Sequence, residues 1–225
     1  MTSVSDFQAV AARHSREWPA EFLRLIADGV LDVPAGGDAS ADGDAIPLLR
    51  FSTSFELLDP TQIAKRLDMM VEPDDHRRID PALGLLPFAM EAGGNLCCFL
   101  TQQAQGDSAP VVLLVNDEEE DEYLADDLAG FIFSDMVTSA SEFYDDDPLG
   151  EGNPAENAQI WLAKHRQYMK PEQVSALENL FANPVEERDD DSLGFISYED
   201  GVELITRVLG SGARDEELVL WERDI

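Results

Sequence analysis

Three apolar segments of strand length lie close together in the middle of the chain, and they restrict the fold more than any other feature of the sequence. They cover residues 83–90, 96–101 and 111–115. The connection Glu91-Ala92-Gly93-Gly94 separates the first two segments and is typical of a β-hairpin. A polar loop leads to the third segment. The spacing therefore predicts a short antiparallel meander.

Signals for helices flank this meander on both sides. Ser5 with Gln8 three residues later forms a capping box, and Asp59 followed by Pro60 marks a second helix start. Apolar residues over 124–136 recur at helical spacing and indicate a closing helix. Helices, a short meander and another helix predict the α+β class, with a short antiparallel sheet flanked by helices.

Two further segments precede the meander. A short helix is predicted over residues 20–27, after Pro19 and ending near Gly29. A strand is predicted over residues 46–51, continuing to Phe55. Both are expected to belong to the same N-terminal domain as the meander.

The segment 142–156 divides the chain into two parts. It is acidic and contains two prolines and two glycines, a composition typical of a linker. We therefore expect an α+β domain over residues 1–141, an acidic linker over 142–156, and a small, mainly helical C-terminal unit over 157–225. That unit is expected to hold three helices and a terminal strand over residues 218–221.

The charge of the chain excludes several classes of partner. There are 47 Asp and Glu residues against 15 Lys and Arg, which gives a formal net charge of −32 at pH 7. Nucleic acids need a neutralising cation at each contact and anionic membranes repel acidic proteins, so we expect neither as a partner. Because 44% of the residues are hydrophobic, the chain has enough apolar material for a packed core and is not a disordered acidic tail.

The acidic residues are concentrated in one part of the chain. Between Arg78 and Lys164 there are 18 acidic residues and no Lys, Arg or His. Ordinary surfaces mix both signs, so this segment favours a surface matched to a basic partner. The candidate contact residues are Asp117, Glu118, Glu119, Glu120, Asp121 and Glu122 in a first cluster, and Asp145, Asp146 and Asp147 in a second. A solvated surface that contacts nothing is the alternative for both clusters.

The sequence contains no pattern that supports catalysis. It has no nucleophile elbow, P-loop or dinucleotide-binding fingerprint, and its three histidines are isolated from one another. Cys97 and Cys98 lie inside a predicted strand, where burial is the expected role. Trp18 and Trp221 lie in apolar patterns, so we expect core packing rather than a role as interface anchors. We therefore expect no enzyme activity, no cofactor and no metal site.

Residues 189–200 are spaced like a calcium-binding loop but lack two of its ligands. With Asp189 at position 1, Asp191 and Gly194 fall at positions 3 and 6. Leu193 at position 5 offers no side-chain oxygen, and Asp200 at position 12 is shorter than the usual bidentate Glu. A degenerate or accidental loop is the favoured interpretation.

The sequence also favours a particular compartment. The N-terminus has no basic segment followed by an apolar one, so no signal peptide is expected. No apolar stretch approaches the roughly 20 residues that a membrane span needs. The two cysteines are adjacent in sequence, and neighbouring cysteines rarely form a disulfide with each other. We expect a cytoplasmic protein.

A series of short motifs runs through residues 5–140 in a defined order. They are Trp18-Pro19-Ala20-Glu21-Phe22-Leu23, the Phe51 strand, Asp59-Pro60, Leu86-Pro87-Phe88-Ala89, Gly93-Gly94-Asn95, the segment 111–117 and the helix 124–136. In this order they resemble the SUKH superfamily, which is named after fungal cell-wall-synthesis regulators and includes many bacterial proteins. The acidic residues 118–122 form an insertion relative to the family pattern, and residues past 150 fall outside the resemblance.

The resemblance implies a binding role. Bacterial SUKH proteins are typically immunity proteins that bind and neutralise toxins, many of them nucleases, and fungal members act as cytosolic scaffolds in signalling. From the resemblance we expect a non-catalytic immunity protein that neutralises a basic, nuclease-type toxin by direct binding. An intracellular scaffold or signalling adaptor with no toxin partner is the alternative. Neither interpretation fixes the oligomeric state.

Overall fold

The computed structural model describes residues 3–31, 47–72, 79–116, 121–188 and 190–210. These residues form seven α-helices, a five-stranded antiparallel sheet and a separate two-stranded sheet. The predicted α+β class is therefore confirmed. The chain divides into two compact units, which are described separately below.

The first unit comprises the described residues up to Pro47 together with Glu56–Leu128. Its helices and strands follow in chain order. They are α1 (Val4–Arg13), α2 (Ala20–Ala27), β1 (Phe55–Leu57), α3 (Pro60–Met70), β2 (Leu85–Glu91), β3 (Leu96–Leu100), β4 (Val111–Leu114) and β5 (Glu122–Ala125).

The sheet of the first unit is a meander in which each strand pairs with the next along the chain, in the order β1-β2-β3-β4-β5. The predicted hairpin joins β2 to β3: Gly94 has a φ of +88°, and its N–H donates to the Glu91 carbonyl at 2.9 Å. The register of β2 shifts between Pro87 and Ala89, where proline has no N–H to contribute to the ladder. The meander therefore forms as the three apolar segments predicted.

The core of the first unit is aromatic. Phe88 of β2 stacks on Phe99 of β3 with ring centroids 4.6 Å apart, and Phe22 of α2 lies 5.2 Å from Phe99. Trp18 is 5% exposed and lies 4.7 Å from Phe22, which confirms the predicted core role of Trp18. Trp221 lies outside the described residues. Cys97 and Cys98 are both buried in β3.

Local capping explains where the first helices begin. At α3, the Asp59 carboxylate accepts from the Gln62 N–H and the Gln62 side chain accepts from the Asp59 N–H, both at 2.8 Å, so the predicted start is confirmed. The capping box predicted at Ser5 is wrong by two residues, because Ser3 and Asp6 form it instead.

The second unit comprises Leu48–Phe55 and the described residues from Ala129 onward. Its elements are α4 (Leu128–Ser141), α5 (Pro154–His165), α6 (Pro171–Leu180), β6 (Glu186–Glu187), β7 (Leu193–Gly194) and α7 (Tyr198–Leu209). The helix predicted over 124–136 is shifted, because residues 122–125 first extend the sheet as β5. The terminal strand predicted over 218–221 lies outside the described residues.

The strand predicted over residues 46–51 is wrong for residues 47–51, and Ile46 lies outside the described residues. Residues 48–51 form a turn in which Leu48, Leu49 and Phe51 are all buried. The indole N–H of Trp161 on α5 donates to the Leu48 carbonyl at 3.2 Å, and the Phe51 ring packs edge-on against Trp161 at 5.8 Å. Contacts with α5 hold this segment in place of strand pairing.

The linker predicted over residues 142–156 is folded into the second unit. Phe143 and Leu149 are completely buried, and α5 begins at Pro154. Phe143 exchanges two backbone hydrogen bonds with Leu193 of β7, at 3.0 and 2.7 Å. The acidic, proline- and glycine-rich composition concealed two core residues, and the boundary between the units therefore differs from the predicted one.

Candidate partner-binding surface

The first predicted acidic cluster is not the uniform surface that its sequence suggests. Asp117, Glu118, Glu119 and Glu120 lie outside the described residues, and Glu122 is exposed at the start of β5. Asp121 is only 4% exposed, and its Oδ1 accepts a hydrogen bond from the Val115 N–H at 3.0 Å. The prediction of Asp121 as a contact residue is corrected, because its carboxylate satisfies a buried backbone donor at the end of β4.

The second predicted cluster lies on a turn of defined geometry. The Tyr144 N–H donates to the Asp147 Oδ2 at 2.7 Å, and the Asp147 N–H donates back to the Tyr144 carbonyl at 3.0 Å. Gly150 closes the turn, where a Cβ atom would overlap the Tyr144 carbonyl. Asp145 and Asp146 are exposed, and neither side chain is bonded to another described residue. Their carboxylates are therefore held on a fixed backbone and remain available to a partner.

A second segment brings a further carboxylate to this turn. The hydrogen bonds between Phe143 and Leu193 place the loop before β7 beside residues 142–147. In that loop the Asp190 carboxylate accepts from the Ser192 N–H and hydroxyl at 3.1 and 2.7 Å. Hydrogen bonds from Ser192 lower the pKa of Asp190, which keeps this carboxylate ionised.

Tyr144 lies where these carboxylates converge. Its side chain is 41% exposed. Desolvation and then the negative charges of Glu142, Asp190 and Asp147 raise the pKa of the Tyr144 phenol. The charges of two segments more than 40 residues apart in sequence therefore act on one phenol. We name as the Tyr144 patch the residues Glu142, Tyr144, Asp145, Asp146, Asp147 and Asp190.

The chemistry of the Tyr144 patch suits a cationic side chain. Carboxylates form charge-assisted hydrogen bonds with Arg and Lys, and a tyrosine ring attracts the same groups through its negative face. Tyrosine is also enriched among residues that dominate interface energetics. A nearby cation, Arg188, donates to the Ile196 carbonyl at 2.7 Å. The patch can thus bind a basic protein surface through an aromatic anchor surrounded by negative charge.

A groove between α6 and α7 carries the same sign of charge. Its volume is about 700 Å³, and its lining includes the buried side chains of Leu180 and Leu204. The charged lining residues are Glu172, Asp200, Glu203 and Arg207. Acidic residues outnumber basic ones there, so this surface also favours basic ligands.

One carboxylate of the loop that resembles a calcium site takes part in capping a helix. Asp189 lies outside the described residues, and Leu193 lies in β7. The Asp200 Oδ2 accepts from the Ser197 hydroxyl at 2.8 Å, at the N-terminus of α7. Among the described residues, no three His, Cys, Asp or Glu side chains are close enough together to hold a metal ion.

One buried carboxyl group has no distinguishing pattern in the sequence. Asp135 of α4 is 4% exposed, and its Oδ1 accepts from the Ser52 hydroxyl at 2.6 Å. Burial raises the pKa of Asp135 from 3.8 to about 7, and a hydrogen bond from Ser52 opposes that shift. An isolated buried acid of this kind is a neutral core residue for much of the acidic pH range.

Comparison with protein-family models, with curated proteins and with solved structures finds no match for this chain. Within the described ranges, every helix is too short or too polar to cross a membrane. No pattern in the sequence places Glu142, Tyr144 and Asp190 in one patch. An aromatic residue directly before three aspartates was the local signal for Tyr144. The contribution of Asp190 depends on the pairing of Phe143 with Leu193, which no spacing in the sequence indicates.

Proposed function

We propose that this protein is a non-catalytic protein-binding module that binds a basic partner through the Tyr144 patch. The pairing of Phe143 with Leu193, which brings the loop that holds Asp190 beside the turn that holds the half-exposed Tyr144, is the observation that supports this proposal. A cluster built by tertiary pairing differs from an acidic run in a solvated loop, because its charges keep a fixed arrangement.

The resemblance to the SUKH superfamily narrows the proposed partner to a toxin, with the protein acting as its immunity protein. A nuclease needs a positive cleft to hold the phosphate backbone of its substrate. An acidic surface can occupy that cleft in place of the phosphates and block access to the substrate. The net charge of −32 makes long-range attraction to such a cleft strong.

The backbone of the patch supports rapid and specific association. The turn is already closed by the reciprocal hydrogen bonds between Tyr144 and Asp147, so little ordering accompanies binding. Complementary charges increase the association rate at low salt, and a central aromatic residue limits the rate of dissociation. The aspartates are therefore assigned to steering and Tyr144 to anchoring.

The test uses a toxin domain encoded beside this chain, in a co-expression protection assay and in binding kinetics over a range of salt concentrations. The variant Asp145→Lys/Asp146→Lys reverses two exposed charges of the patch. The control variant Glu56→Lys/Asp107→Lys makes the same change in net charge at two exposed positions of the first unit. We expect the patch variant to slow association by about tenfold or more and to lose protection, and the control to change the rate by less than about threefold.

Two outcomes would contradict parts of this proposal. Equal effects of the two variants would show that net charge acts without a local site, and the Tyr144 patch would be rejected. Binding that is independent of salt and gives no protection would favour the scaffold role over toxin neutralisation.

A further inference from the structure

The chain after α1 turns sharply into the first unit and carries a cation with it. The Ser15 N–H donates to the Ala12 carbonyl at 3.1 Å and the Arg16 N–H to the Ala11 carbonyl at 3.0 Å, which is the Schellman arrangement. Ser15 has a φ of +56°, a left-handed conformation at a position where glycine is usual. Arg16 follows and is only 9% exposed. A strained turn therefore buries a guanidinium group in a protein that is otherwise strongly acidic.

Arg16 has few partners for its charge among the described residues. One N–H of its guanidinium donates to the Leu85 carbonyl. Among the described residues, no carboxylate lies within ion-pairing distance of Arg16. Burial lowers the pKa of Arg16, with a smaller opposing effect from Cys98. Because a guanidinium carries five N–H donors and stays protonated in proteins, most of its binding capacity is unused by the described residues.

Arg16 lines an open cavity of about 790 Å³, a volume typical of sites for small molecules. The cavity lies against the turn after α1 and two 3₁₀ turns, Pro81–Leu83 and Thr101–Gln103. The Thr101 hydroxyl donates to the Gly84 carbonyl at 2.7 Å, and Gly84 has a φ of +65°. Much of the remaining lining consists of small side chains, namely Pro19, Ala20, Ala82, Ala104, Gly106 and Ser108.

Two other titratable side chains line this cavity. His14 is half-buried, and burial lowers its pKa more strongly than the nearby Asp68 raises it, so it is mainly neutral at pH 7. Glu17 is exposed to solvent, where water screens its charge. Arg16 therefore supplies the local positive potential of the cavity.

We propose that the Arg16 cavity binds a small molecule that carries a carboxylate or phosphate group. The planar fork of a guanidinium matches both groups through two parallel N–H···O hydrogen bonds. Such a ligand would neutralise a buried cation for which the described part of the chain provides no counter-ion. This inference is independent of the Tyr144 patch, which lies in the other unit.

The test measures binding of inorganic phosphate and of succinate to the full chain by calorimetry, with chloride at matched ionic strength as the reference. The Arg16→Met variant keeps an apolar stem but removes the fork, and Arg13→Met removes an exposed arginine at the end of the same helix. We expect saturable binding of at least one probe, a loss of about tenfold or more in Arg16→Met, and no change in Arg13→Met. The preferred probe distinguishes phosphate ligands from carboxylate ligands.

Two results would overturn the proposal: no saturable binding of either probe, or equal binding by wild type and Arg16→Met. If circular dichroism shows that Arg16→Met is unfolded, Ala104→Trp provides the second variant, because it fills the cavity from an exposed lining position and leaves Arg16 in place. Reduced binding by Ala104→Trp supports the site, and unchanged binding rejects it.

Discussion

Asp135 in the second unit and Arg16 in the first are two charged residue types that the fold holds away from solvent, at 4% and 9% exposure. Within the part of the chain that the structure describes, each has one neutral hydrogen-bond partner, the Ser52 hydroxyl for Asp135 and the Leu85 carbonyl for Arg16. Neither is ion-paired with another described residue. Burial nevertheless has different consequences for the two groups.

The difference arises from what each group can do with its proton. A buried carboxyl can bind a proton and become neutral, and the pKa of Asp135 rises to about 7 for this reason. A guanidinium keeps its charge over the whole physiological range even though burial lowers the pKa of Arg16. Asp135 can therefore lose its charge inside the fold by binding a proton. Arg16 cannot, and its charge can be neutralised only by an anion from outside the described residues.

The largest expected effect is a pH-dependent loss of stability caused by Asp135. Its folded pKa of about 7 lies above its ordinary value of 3.8, so the folded state binds a proton that the unfolded state releases. The contribution of Asp135 is most favourable below pH 3.8 and is lost progressively as the pH rises to about 7. Between pH 5 and pH 8 the loss of this contribution should lower the free energy of unfolding by about 2 to 3 kcal/mol.

Urea unfolding of wild type and of Asp135→Asn at both pH values isolates this contribution from the other acidic residues. The amide cannot ionise, so the free energy of unfolding of the variant should decrease less between pH 5 and pH 8. The two decreases should differ by about the amount expected from Asp135. The same pH dependence in both proteins would contradict the assignment and would place the pH sensitivity in the surface charges.

A smaller effect is expected at Asp121, a buried acid that the fold uses as a hydrogen-bond acceptor. Asp121→Ala leaves the Val115 N–H without its side-chain acceptor, at an expected loss of about 2 kcal/mol in the free energy of unfolding. Asp145→Ala removes the same charge from an exposed position and should change it by less than about 0.5 kcal/mol. Equal denaturation midpoints for the two variants would show that Asp121 has no structural role.

Local signals in the sequence were sufficient for much of the fold. The three apolar segments, the two glycines after Ala92 and the helix start at Asp59-Pro60 each act over a few residues, and each appears in the structure as predicted. Residues 48–51 do not form the predicted strand, because contacts with Trp161, more than 100 residues later, determine their position. The burial of Phe143 is not evident from the sequence for a related reason, since its partner Leu193 lies 50 residues away.

The functional sites were harder to predict than the fold, since charge in a sequence does not reveal whether a side chain is buried. Asp121 and Asp145 belong to similar acidic runs, yet one is a core acceptor and the other is exposed. Arg16 had no distinguishing neighbours in the sequence, and its burial follows from the left-handed turn at Ser15. Only tertiary structure separates these roles.

The smallest expected effect on stability is that of replacing Arg16, and it tests the difference between Arg16 and Asp135. Arg16→Met removes the desolvation cost of a buried cation but leaves the Leu85 carbonyl without its side-chain donor. Because these two effects oppose each other, the free energy of unfolding should change by no more than about 1 kcal/mol at low phosphate. Inorganic phosphate should raise the melting temperature of wild type but not of the variant, because a ligand stabilises only the state that binds it. A loss of about 3 kcal/mol or more without phosphate is the size expected for breaking a buried ion pair. That loss would mean that another group of the chain already neutralises Arg16. Arg16 and Asp135 would then differ in whether they have a charged partner, and Arg16 would need no external anion.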